Sequence, residues 1–127
     1  MKGFAAVAFG GALGASARYV VYLLAGHYLG GQFPYATVIV NVIGSFIMGV
    51  LIELMALKWS VTAEMRLFLT TGILGGFTTF SAFSLDAVVL FERGRLGLSI
   101  FYVAASVILS ITALFLGLGL MRRVLAF

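Results

Sequence analysis

Four stretches of this chain, residues 3–29, 35–57, 63–91 and 96–121, are long, apolar and nearly free of charge. Each exceeds the roughly 20 residues that carry an α-helix across the hydrocarbon of a bilayer. Backbone in lipid must satisfy its polar groups internally, so helices are the form open to such segments. Composition closes off a water-soluble fold. Of 127 residues, 63% are hydrophobic and 9% charged, against about 25% charged in soluble domains. The expected architecture is an all-α membrane protein, a single domain over residues 1–127 with four transmembrane helices. Its partner is the lipid bilayer.

Short connections join these segments: residues 30–34 (GGQFP), 58–62 (KWSVT) and 92–95 (ERGR). They leave no room for a soluble domain. Lys2, the following apolar run and Ala15-Ser16-Ala17 imitate a secretory signal. The run continues past Arg18 through Val20, Val21, Leu23 and Leu24, so a retained helix is expected. With four spans, Lys2, Lys58, Arg66, Arg122 and Arg123 fall on one side, and Arg93 and Arg95 on the other. So weak a charge bias permits insertion in both orientations. Subunits of opposite orientation can pair as an antiparallel, dual-topology homodimer.

Several functions are excluded. The absence of cysteine rules out disulfides and thiolate chemistry. A net charge of +4 is too sparse for a nucleic-acid surface. There is no Ser-His-Asp set, no catalytic carboxylate pair and no phosphate loop, so an enzyme is not expected. His27 has no acidic or cysteine neighbours with which to hold a metal.

The third stretch holds an anomaly. Residues 70–84 read TTGILGGFTTFSAFS, with three glycines, six hydroxyls, three phenylalanines and no charge. Non-helical backbone at membrane depth is tolerated only where protein buries it or a water-filled cavity solvates it. The third helix is therefore expected to be broken mid-membrane, at a candidate ion site. Around it, Thr37, Asn41, Ser45 and Gly49 recur every four residues in the second stretch, as do Tyr102, Ser106 and Ser110 in the fourth. Residues four apart share a helix face. Hydroxyls and an amide can donate hydrogen bonds. The rims of Phe80 and Phe83 carry partial positive charge. Together with Ser81, these groups suit a small anion exchanging its water for weak donors, loosely enough to leave again. Each feature also has a plain packing reading, since small and hydroxyl residues commonly make helix contacts in membranes. The glycine pairs Gly10/Gly14 and Gly72/Gly76 are expected to be packing faces. Arg18, inside the first stretch, is expected to snorkel or to pair with a carboxylate.

Taken together, GGALGASAR (10–18), TVIVNVIGSF (37–46) and GILGGFTTFSAFS (72–84), with Tyr102, Ser106 and Ser110, resemble the Fluc/CrcB fluoride channels over essentially the whole chain. The resemblance implies a small bacterial inner-membrane protein that passively exports toxic fluoride. It implies an antiparallel homodimer with two fluoride pores. Phe80 and Phe83 would contact fluoride, Asn41 would be the pore asparagine, and Tyr102, Ser106 and Ser110 a hydroxyl track. Arg18 would lie near a pore entrance. The backbone carbonyls of Gly75 and Thr78 would hold a structural sodium ion at the dimer interface. One position departs from the family pattern TTFSTFS: Ala82 stands where a threonine is common. Two other readings stay open. A small dual-topology proton-coupled multidrug exporter would depend on Asp86, the one plausible acid. An accessory membrane subunit would use the polar stripes for packing alone.

Overall fold

The computed structural model of the chain describes residues 1–126, and every regular element among them is helical. Helix α1 (Lys2–Leu29) and α2 (Tyr35–Leu57) are continuous. The third segment is composite. It comprises α3 (Ala63–Leu67), a π-helical stretch Phe68–Leu74, α4 (Gly75–Phe77) and α5 (Phe80–Glu92). Helix α6 spans Leu96–Leu125. Four segments, with Ala63–Glu92 counted as one, are long and apolar enough to cross a membrane. The fourth runs past residue 121 to include Arg122, whose guanidinium meets Glu53 of α2 at 3.0 Å.

The turns follow local chemistry. Gly30 and Gly94 adopt φ of 77° and 78°, conformations that disfavour residues with a Cβ. Thr62 caps α3 by accepting from the Met65 amide at 3.1 Å, and Glu64 sits in the first turn beside the positive helix end.

Glycine seams hold the helices together. A Cβ on Gly10 would lie 2.6 Å from the Phe68 carbonyl oxygen, and one on Gly76 2.7 Å from that of Gly11. One on Gly14 would collide with the Ile73 carbonyl. The glycine pairs expected as packing faces thus bring α1 and the first half of the third segment into backbone contact, running parallel. A second seam joins α2 and α6, also parallel, where Gly49 meets Leu114 and Gly117 meets Phe46. Few large side chains are fully buried; Tyr102, Val40 and Thr37 are the largest. The outward faces carry exposed Phe4, Phe9, Leu23, Ile108 and Phe115, side chains suited to lipid tails.

Candidate functional site

Between α4 and α5 the helical path stops. Thr78 (φ −84°, ψ 161°) and Thr79 (φ −152°, ψ 119°) are extended, a conformation that suits β-branched residues. Thr79 caps α5: its Oγ1 accepts from the Ala82 amide at 3.1 Å. Asn41 of α2 grips the same residue twice. Its Oδ1 accepts from Thr79 N at 2.8 Å, and its Nδ2 donates to Thr79 O at 3.1 Å. In an unbroken helix Thr79 N would donate to Gly75 O, and Ala82 N to Thr78 O. Both amides are diverted, so those carbonyls lose their helical donors. The neighbouring Gly76 carbonyl accepts from Arg18 Nε at 3.0 Å. Arg18, expected to snorkel or to pair with a carboxylate, therefore meets a backbone carbonyl. Its cation sits at the negative end of a helical segment.

A groove of about 370 Å³ opens beside the break. Asn41, Gly44, Ser45 and Met48 of α2 line one wall, Ser106, Val107, Ser110 and Leu114 of α6 another, and Thr78, Thr79, Phe80 and Phe83 the third. No lining residue is charged. The Phe80 and Phe83 rings lie 5.5 Å apart and tilted by 56°, while Phe80 remains 78% exposed. Ser106, only 5% exposed, has a buried Oγ with no hydrogen-bond partner among the described residues. Asn41 spends its oxygen and one N–H on Thr79, which leaves one amide N–H to use.

Other expected residues lie elsewhere. Ser81 and Tyr102 are not among those lining the groove. Ser81 Oγ lies 3.5 Å from Thr79 Oγ1. The fully buried Tyr102 packs its ring 5.4 Å from Phe83 and 5.6 Å from Phe33. Its hydroxyl donates to Asp86 Oδ2 at 3.0 Å. Thr37 Oγ1 donates to the same oxygen at 2.6 Å and contacts Tyr22 OH. With its single proton spent on Asp86, Thr37 accepts from Tyr22. The α2 stripe thus divides: Asn41 and Ser45 face the groove, Thr37 joins the Asp86 network, and Gly49 packs on α6. Gly44 and Met48, three and seven residues from Asn41, share its face. That spacing was the signal that could have found them.

The family described as CrcB-like protein, Camphor Resistance (CrcB), matches residues 5–118. The chain belongs to this family. Among its relatives, the fluoride-specific ion channel FluC of Agrobacterium fabrum is 55% identical over 97% of this chain and 98% of its own length. The protein of the same name from Rhodospirillum centenum is 55% identical over 99% of this chain and 100% of its own. That from Chelativorans is 56% identical over 94% and 95%. The CrcB-family chain therefore aligns with these channels through the groove and the break alike.

Proposed function

We propose that this chain is a fluoride-selective ion channel that passively exports cytoplasmic fluoride and relieves its toxicity. The observation that carries the reading is an uncharged groove at a helix break where the buried Ser106 hydroxyl has no partner among the described residues. The ion's identity comes from relatives named fluoride-specific channels that align over nearly the full chain. Fluoride would pass the Phe80 and Phe83 ring edges and take hydrogen bonds from Ser106, Ser110 and the spare Asn41 N–H. Weak, separate donors suit conduction, which requires release as much as binding. The alternative exporter depended on Asp86, but that carboxylate accepts from Thr37 and Tyr102 and does not line the groove.

The working unit in this reading is an antiparallel dual-topology homodimer with two pores in the bacterial inner membrane. The 78% exposure of Phe80 supports it, because a pore-side ring needs a further wall. The carbonyls of Gly75 and Thr78, deprived of helical donors, suit a hard cation that prefers oxygen ligands. In the dimer these carbonyls from both subunits would hold the structural sodium. When bound, sodium supplies positive charge that ties the two breaks together.

No pump is needed. Hydrogen fluoride crosses a bilayer uncharged and ionises inside. The membrane potential, worth about 2.3 kcal/mol per charge per 100 mV, then excludes the anion roughly fiftyfold. The test is fluoride efflux from liposomes holding the purified protein, with potassium and valinomycin setting the potential. Efflux above protein-free liposomes and little chloride efflux are expected. Equal chloride efflux, or none of either ion, overturns the reading.

A further inference from the structure

We infer that Asn41 is a positioning residue for the cation site: its grip on Thr79 keeps the Gly75 carbonyl available. The inference rests on the reading of Gly75 and Thr78 as sodium ligands.

Thr79 N has two acceptors to choose between. In a helix it would bond Gly75 O, four residues back. Here it bonds Asn41 Oδ1 at 2.8 Å, while Asn41 Nδ2 holds Thr79 O at 3.1 Å. The pair of bonds resembles the exchange between paired strand residues, and the extended dihedrals of Thr79 suit it. Thr79 is only 8% exposed. Without Asn41, its amide would be buried and unpaired, which is costly. The nearest repair is a return to Gly75 O, which would consume that carbonyl.

Gly76, between Gly75 and the break, cannot absorb the change. It is pressed on α1, where a Cβ would meet Gly11 O at 2.7 Å and Ala15 N at 3.1 Å. Its carbonyl is held by Arg18. Any rearrangement therefore falls on Thr78 and Thr79, where Asn41 acts. One side-chain amide thus lines the anion groove with one N–H unspent and governs a cation ligand through Thr79. Linkage requires the converse: a cation that binds only the open arrangement must strengthen the Asn41–Thr79 pairing.

The test uses the purified full-length protein. Sodium is titrated against potassium at constant ionic strength, and the thermal unfolding midpoint is read. Asn41→Asp keeps the acceptor for Thr79 N, whereas Asn41→Leu removes it. The half-saturating sodium concentration should be no higher than native in Asn41→Asp. It should rise about tenfold or more in Asn41→Leu, as expected for loss of one buried hydrogen bond. A native sodium response in Asn41→Leu overturns the inference. Should that variant not fold, amide exchange at Thr79 in the native protein decides. Sodium should slow it over the same concentration range that raises the midpoint. Exchange indifferent to sodium while the midpoint rises overturns the inference and leaves the cation site standing. A native midpoint with no preference for sodium overturns the cation site itself, and the inference with it.

Discussion

Ser106 sits at the groove wall with a hydroxyl that no group among the described residues satisfies. A buried polar group left unpaired costs about 1–3 kcal/mol. Ser106→Ala should therefore leave the thermal midpoint unchanged or higher while lowering fluoride flux in liposomes. A large loss of stability would place the hydroxyl in packing instead. Phe80→Ile and Phe83→Ile keep apolar bulk but lose the ring edge. Each is expected to cut fluoride flux at least about tenfold, because an edge donor worth about 1.4 kcal/mol accounts for one decade. Folding, read by size-exclusion elution, should be retained; native flux in both variants would remove the rings from the ion path. Spacing alone put Asn41, Ser106 and Ser110 on candidate faces, and the groove gathers all three. Tyr102 and Thr37 share those same spacings, yet both are committed to Asp86. Their partner lies on another helix, 16 and 49 residues away, and periodicity along one helix carries no record of such contacts.

At the scale of helices, the glycine seams fix which backbones touch. A Cβ at Gly14 would run into the Ile73 carbonyl, whereas at Gly11 it would meet nothing within 4 Å. Gly14→Ala should thus destabilise by about 1–3 kcal/mol, the usual range for overpacking. Gly11→Ala, on the same helix, should be close to neutral. Thermal midpoints of the two variants make the comparison, and equal midpoints would count against the seam. The pairs Gly10/Gly14 and Gly72/Gly76 were legible because their four-residue spacing puts small residues on one face. The Gly49–Gly117 seam was not, since Gly49 continues a polar stripe and its partner is far along the chain. Within residues 70–84, the sequence marked a polar interruption without saying which peptides depart from the helix. Asn41 settles that at Thr78 and Thr79, through bonds that span 38 residues. The π-helical turn Phe68–Leu74 left no separate mark in the sequence.

For the whole molecule, the absence of cysteine makes orientation directly measurable. Gly31→Cys places one thiol in an exposed loop where a Cβ meets nothing nearby. If a weak charge bias allows both orientations, an impermeant maleimide should label about half of the molecules from outside the cell. Labelling of nearly all or almost none would argue against antiparallel pairing. The four-helix plan was legible from apolar length alone, because lipid admits so few backbone forms. The break also bears on how the protein meets membranes of different thickness. Helix α1 and the first half of the third segment cannot slide past each other, since a one-residue step of about 1.5 Å would drive a side chain into backbone at the glycine seam. Accommodation to a thinner or thicker hydrocarbon layer is thus directed to Thr78 and Thr79, where α5 can tilt apart from the locked half. Since those residues also wall the groove, acyl-chain length becomes a control on conduction. Fluoride flux through the reconstituted protein should change as lipid tails are shortened, while the α1 seam stays closed.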